Sequence, residues 1–537
     1  MKRPIVVLAA AALLATACAP AEAPDARPPA TLTATPTPTP TPTPPPPLPW
    51  GPTEDQYARA AQIVAGMSIE EQAGQVIVAQ YQTVGEAAQL VGDLHIGGVI
   101  VMGQNVVSPD QVRSDIATLQ RSAARPYPLL VGVDQEGGKV ARLGAPVTEF
   151  PSLMTLGAAR DAALARRVAR ASGDELRALG FTMVFAPDAD VTSGPDDPTM
   201  GSRSASSDPE VVSEVVTAEL AGYADAGIVA VVKHFPGHGS VPADSHEELP
   251  VQGATLDELR ARDFAPFLTA VDDGAPAVMV GHIDVTAVDP GVPSSLSAPV
   301  VGLLRDEHGF DGLVVTDAQN MAAVAGTYGS GDAAVRSLAA GADIVLMPVD
   351  VRAAHAAIVA AVADGRLSAT RLSDAATRGV ALMLHTAAGG VRPAPSVVGS
   401  HADVSYAASL AGLTIVSGAC RGPLVGGAIQ VRGGTEADRA RLVAAAEAAG
   451  LTVGSGDLVR LLGGNDPGRG AVVVALDTPY GLGDSSATSA RIALYGRTPQ
   501  AFRALVAVLL GKATGGGMLP VAVHGVEQPG CAHSVAG

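Results

Sequence analysis

Five residues of the types that move protons or hold anions fall within one stretch of fourteen, KHFPGHGSVPADSH, from Lys233 to His246. The chain has eleven histidines, and three of them, His234, His238 and His246, lie here beside Lys233 and Asp244. Three chemistries are open. His234, His238, Asp244 and His246 are metal-ligand types, but the glycines and proline of GHGSVPADSH make a loop. No i, i+4 helical face presents two ligands, as it would in a metalloprotease. Lys233 with Gly237-His238-Gly239 could cradle a phosphate, although the P-loop spacing is missing. In the third reading Asp244, two residues before His246, orients and polarises the imidazole. A histidine paired in this way gives or takes a proton near neutral pH.

Three other segments carry candidate groups. In GFDGLVVTDAQNM (309–321) an apolar run delivers Asp317 to its end; a helix N-cap aspartate would look the same. In VGVDQEGGKVARL (131–143) Asp134 follows an apolar run, Gly137-Gly138 turns, and Arg142 follows. A carboxylate accepts two hydroxyl hydrogen bonds and so grips a sugar, though the segment also reads as a plain turn. Arg203 stands among small residues in DDPTMGSRSASSDP (196–209), as a binding group or as a surface arginine.

These residues need a frame that brings them together. Short apolar runs at 76–80, 97–102, 129–134, 182–188, 228–234, 277–282, 312–317 and 343–348 alternate with stretches of helical spacing. Many of the helical stretches open on Ser or Asp and close on Gly. Eight strands with intervening helices predict an α/β fold, a (β/α)8 barrel, with a doubly wound sheet as the alternative. Asp134, Asp190, Lys233-His234, His282-Asp284 and Asp317 all fall just after strand ends, where a barrel gathers its active site. The expected barrel spans residues 51–385. A Gly/Pro-rich linker follows at 386–404, and a smaller α/β domain at 405–537.

The N-terminus reads as an export signal over 1–17. Lys2 and Arg3 precede a short apolar run, and Ala15-Thr16-Ala17 precede Cys18. LATAC resembles a bacterial lipoprotein signal, which makes Cys18 the expected lipidation site. The expected placement is therefore the extracytoplasmic face of a membrane, held by that lipid alone. Residues 18–50 are a Pro/Thr-rich tether. Its 31 residues from Ala19 to Pro49 would reach about 100 Å as polyproline II. Of three cysteines, Cys420 and Cys531 remain, as a disulfide or as two buried thiols. A formal net charge of −18 argues against nucleic acid as a partner and fits a small or neutral ligand.

Nine segments, in order over residues 65–350, resemble glycoside hydrolase family 3, and within it the β-N-acetylhexosaminidases of NagZ type. They include MSIEEQAGQVIV, VDQEGGKVARL, GFTMVFAPDADV, GSRS, KHFPGHGSVPADSH, AVMVGHIDVTAVDPGVPSSLS and LLRDEHGFDGLVVTDAQNM. The resemblance implies Asp317 as catalytic nucleophile, His246 as acid/base and Asp244 as its partner. Asp134, Arg142, Arg203, Lys233 and His234 match sugar-binding positions. The C-terminal part resembles the family's α/β sandwich domain. The chain departs from the family pattern at Ala318, where a second Asp is usual, and in RSA and APDADV. No catalytic group is lost.

The implied reaction is hydrolysis of a terminal β-linked N-acetylglucosamine, with retention through a glycosyl-enzyme intermediate. The expected substrates are muropeptide fragments or chitin-type oligosaccharides. Phosphorolysis, β-glucosidase activity and a non-catalytic sugar-binding lipoprotein are the alternatives. No metal or organic cofactor is expected, and a monomer is the expected state.

Overall fold

The computed structural model describes residues 47–390, 392–526 and 531. The signal segment, Cys18 and most of the Pro/Thr tether lie outside the described residues.

Eight parallel strands form the first sheet: β1 (Ile77–Ala79), β2 (Gly98–Val101), β3 (Leu130–Val133), β4 (Met183–Val184), β5 (Val229–Phe235), β6 (Ala277–Val280), β7 (Leu313–Thr316) and β8 (Val345–Leu346). Each pairs with its sequence neighbours, and β8 returns to pair with β1. A parallel bridge from Val315 to Ile344 joins β7 to β8, so the sheet closes into a barrel rather than a doubly wound layer. Every residue of these strands is buried, because the barrel interior covers one face and the helices the other. Apolar runs without strict alternation follow from that double burial.

The helices between strands are defined at their ends by side chains that meet otherwise unpaired backbone groups. Ser108 caps Pro109–Ser122 with a reciprocal bond from Gln111, and Asp161 caps Ala162–Leu179. Gly180, Gly227 and Gly341 stop their helices in the left-handed conformation that glycine adopts without strain. Two strands are shorter than their apolar runs. The run 182–188 narrows to Met183–Val184, since Pro187 has no N–H to pair. Before β8, the Asp343 carboxylate itself takes the Val314 N–H at 2.9 Å and three arginines, Arg305, Arg371 and Arg378.

The chain joins the barrel slightly before residue 51. Pro47 bridges to Thr53, and Trp50 is buried in the barrel core. At the other end, Glu175 accepts the Gly399 N–H and pairs with His401, pinning the connection to the barrel.

The second sheet has six strands: β9 (Thr414–Ser417), β10 (Ala428–Gly433), β11 (Thr452–Val453), β12 (Asp457–Leu462), β13 (Arg469–Ala475) and β14 (Ser486–Ala493). Their order is β9-β14-β13-β12-β10-β11, with β9 alone antiparallel to its neighbour. One face packs on helices Glu436–Ala448 and Pro499–Leu509. The other packs on Met154 and Ala158 of the barrel helix Leu153–Ala159. Cys420 and Cys531 form a disulfide. Among the described residues, no helix is long and apolar enough to cross a membrane.

Candidate active site

A cavity of about 300 Å³ opens at the C-terminal ends of the barrel strands. Asp134, Arg142, Arg203, Lys233, His234, His246 and Asp317 all line it. Asp244 does not line it and acts on His246 from behind. Every lining residue comes from the barrel; the second sheet contributes none.

The turn after β3 sets one wall. Gly137 has φ 94°, and a Cβ there would lie 2.5 Å from the Pro151 carbonyl oxygen, so only glycine fits. The tight turn brings Asp134, Glu136 and Arg142 to one side of the cavity. Arg203 grips Glu136 with two hydrogen bonds of 2.9 Å, and Lys233 Nζ lies 2.6 Å from the same carboxylate. Lys233 also reaches Asp134 at 3.1 Å, and Arg142 reaches Asp134 at 3.2 Å. Burial alone would raise the Glu136 carboxyl, but Arg203 and Lys233 overcome it and hold it at about 2. Glu136 was missed in the sequence because its segment reads as a turn. The available signal was its position two residues after Asp134, in the turn that follows a strand end.

β4 and β5 set the second wall. Asp190 accepts the His238 N–H at 2.5 Å and contacts His234 Nδ1 at 2.7 Å. Burial pushes the His234 imidazole down to about 4, so it is neutral at pH 7. With Nδ1–H donated to Asp190, Nε2 is left as an acceptor for a substrate hydroxyl. Burial pushes Asp190 up to about 7, against the backbone N–H groups of His238 and His234 that favour its charge. Burial and the Asp190 charge push the Asp188 carboxyl well above the usual carboxylate range.

Asp188, Asp190 and His234 place three ligand-type atoms within 4.8 Å of one another. Asp190 is engaged by the His238 N–H and by His234 Nδ1, while Asp188 Oδ2 makes no hydrogen bond among the described residues and has Arg203 at 3.4 Å. The metal set considered from the sequence, His234, His238, Asp244 and His246, is not assembled. His234 pairs with Asp190, whereas His246 pairs with Asp244.

The opening stretch divides in two. Lys233 and His234 are buried at the strand end. His238 is buried too, and its Nε2 lies 2.9 Å from Ser245 Oγ, which ties the strand end to the outer loop. On that loop Asp244 Oδ1 accepts the His246 backbone N–H at 2.9 Å and holds Nδ1 at 2.8 Å. The His246 side chain is 66% exposed and faces the cavity mouth with Nε2 available.

Asp317 follows β7 directly, and one carboxylate oxygen accepts the Ala318 N–H at 2.7 Å. Burial would raise this carboxyl, yet His234, His282, the Ala318 N–H and Lys233 bring it down to about 2. His234 is neutral at pH 7, so the N–H and the Lys233 ammonium carry that effect there. Asp317 is therefore an ionised carboxylate in a partly dry pocket, with a neutral imidazole and an ammonium beside it. That combination suits nucleophilic attack on an electron-poor carbon.

The second sheet supports this wall from behind. Ser206 Oγ donates to the Pro520 carbonyl at 2.5 Å, and Lys139 lies 3.9 Å from Asp477. Ser152 and Thr155 both donate to the Tyr495 carbonyl. These contacts fix the loops that carry Arg203 and Glu136.

A parallel barrel with an ionised carboxylate in its cavity and a carboxylate-held imidazole at the mouth has the groups of an enzyme that works by nucleophilic and acid/base chemistry. The chain matches the family described as glycosyl hydrolase family 3 N terminal domain over residues 68–382. It belongs to glycoside hydrolase family 3 and is a glycoside hydrolase. A solved structure titled as a family 3 beta-N-acetylglucosaminidase from Paenibacillus sp. str. FPU-7 is similar, with TM-score 0.78 and 32% identity. That match covers 86% of this chain and 99% of the other. Beta-hexosaminidase LpqI of Mycobacterium tuberculosis is 37% identical over 303 residues, 55% of this chain and 77% of the relative. A beta-hexosaminidase of Alkalilimnicola ehrlichii is 39% identical over 259 residues, 47% of this chain and 73% of the relative.

Proposed function

We propose that this protein is a retaining exo-β-N-acetylglucosaminidase. The observation that carries the reading is Asp317, ionised at the cavity floor, facing a mouth that holds the Asp244–His246 pair. The relatives named as beta-hexosaminidases support the choice of sugar. Asp317 attacks the anomeric carbon and forms a glycosyl-enzyme bond as the aglycone leaves. His246 gives its Nε2 proton to the departing oxygen, then takes one from the incoming water. Asp244 keeps the imidazole oriented throughout. Asp134, Arg142, Arg203, Lys233 and His234 hold the sugar hydroxyls, with Glu136 fixing the two buried cations.

A histidine acid becomes neutral once it has given up its proton, unlike a carboxylic acid. No second negative charge then opposes an anionic acceptor, so phosphate is a second acceptor to test beside water. The lipid anchor on Cys18 and an extracytoplasmic placement belong to the same proposal and rest on the sequence from Lys2 to Cys18.

Paired aryl glycosides test the reading. Purified protein should release chromophore from the β-N-acetylglucosaminide at least tenfold faster than from the β-glucoside. The first sugar product should be the β-anomer. Turnover confined to the glucoside, or an α-anomer formed first, would sink the proposal. Added phosphate either yields glycosyl phosphate or leaves free sugar as the sole product, which separates the two acceptors.

A further inference from the structure

A second cavity of about 680 Å³ opens beside the first. Gln80, just after β1, and Asn320, in the loop after β7, line both cavities. Asn320 Nδ2 donates to Gln80 Oε1 at 3.1 Å, so this pair forms the shared rim. The remaining walls come from the loops after β1 and β8, including Gln82, Glu86, Asp350 and Arg352.

Its place around the barrel gives it a direction. The groups proposed to hold the sugar come from β3, β4 and β5. The second cavity is built from β7, β8 and β1, across Asp317 from them. The loop bearing His246 also reaches this side, since the Ser245 carbonyl accepts the Ala323 N–H at 3.4 Å, three residues beyond Asn320. A sugar held on the Glu136 side with its anomeric carbon at Asp317 therefore directs its leaving group over the Gln80–Asn320 rim.

We infer that the second cavity is the leaving-group subsite, and that it favours an uncharged amino-sugar aglycone over one bearing a carboxylate. This rests on the proposed hexosaminidase reading and names its substrate class. The amides of Gln80, Gln82 and Asn320 offer donors and acceptors suited to hydroxyl and acetamido groups. The charge is set by Glu86 and Asp350. Glu86 accepts the Gln82 N–H at 2.9 Å, and Asp350 caps the helix Val351–Ala363 through the Ala353 N–H at 2.9 Å. Both carboxylates are thus fixed at helix starts, each of which offsets about half a charge. Arg352, the one cation among the described lining residues, pairs with Asp93 at 2.9 Å against the two carboxylates Glu86 and Asp350. The cavity keeps a net negative charge, which opposes an anionic aglycone.

The experiment compares kcat/KM at low salt for two disaccharides with the same non-reducing sugar. One is N,N′-diacetylchitobiose; the other is N-acetylglucosaminyl-β-1,4-N-acetylmuramic acid. An aryl β-N-acetylglucosaminide is assayed beside them. Wild type should favour diacetylchitobiose roughly threefold or more, and the E86Q/D350N double variant should narrow that ratio by roughly threefold. Raising the salt on wild type should narrow it in the same direction, which keeps the test independent of variant folding. A ratio of one or below in wild type, or a ratio that neither salt nor the variant moves, overturns the subsite assignment. Loss of the aryl activity itself overturns the hexosaminidase reading instead.

Discussion

Replacing Glu136 with Gln isolates the pivot of the wall proposed to hold the sugar. The side chain is 7% exposed and joins Arg203, through two bonds of 2.9 Å, to Lys233 at 2.6 Å. Gln keeps the shape and removes the charge, leaving two buried cations sharing Asp134 and Asp188. Two considerations set the order of magnitude of the cost. The carboxyl is held at about 2 rather than 4.5, and that shift corresponds to about 3 kcal/mol. Breaking a buried ion pair by removing one partner costs about 3–5 kcal/mol. The two agree, so E136Q should lose about 3 kcal/mol of barrel stability at pH 7.

The sign with pH follows from a folded value below the unfolded one. The Glu136 contribution is complete above about pH 4.5 and is lost as pH falls toward about 2. The gap between wild type and variant should therefore be flat from pH 5 to 8 and shrink below pH 4. Trp50 is the chain's single tryptophan and is buried in the barrel, so its fluorescence in a urea titration reads barrel unfolding. Because Lys233 and Arg203 lose their anchor, kcat/KM on the aryl glycoside should fall at least tenfold. A gap under about 1 kcal/mol with unchanged kinetics, or a gap that widens on acidification, would refute this account of the wall.

Two other perturbations bear on the remaining parts of the site. H246A should lower kcat about 10²–10⁴-fold on a methylumbelliferyl glycoside, whose leaving group needs a proton. The loss should be much smaller on a dinitrophenyl glycoside, and equal losses on both would remove His246 from the acid role. Gly157 lies where a Cβ would stand 1.9 Å from the Ala205 carbonyl oxygen. G157A should push the helix Leu153–Ala159 off the Arg203 loop, costing about 1–3 kcal/mol and raising KM; an unchanged KM would show that the loop does not depend on this packing.

The barrel was legible because strands buried on both faces must be apolar throughout, and the helices between them must be capped in sequence. Asp317 was legible because a polar residue ending such a strand stands at the mouth. Asp244 and His246 were legible as a pair because two residues on a loop are within reach of each other whatever the rest of the chain does. The same locality hid Glu136. Its partners, Arg203 and Lys233, are 67 and 97 positions away, and no periodic pattern links them. Asp190 was noted at a strand end, but its grip on His234 and His238, which frees one ring nitrogen for substrate, depends on β4 and β5 being neighbours.

The sequence by itself determined which residues end strands, which open helices, and that one loop carries a histidine with its own carboxylate. Only the tertiary structure decided which strand ends share a wall. It brought Glu136 between two cations and paired Cys420 with Cys531 across 111 residues. It set a second cavity, built from residues near 80, 320 and 350, beside the first. The physical reason is closure. Local rules fix each strand and helix within a few residues, but the bridge from Val315 to Ile344 joins β7 to β8, and the pairing of β8 with β1 closes the ring.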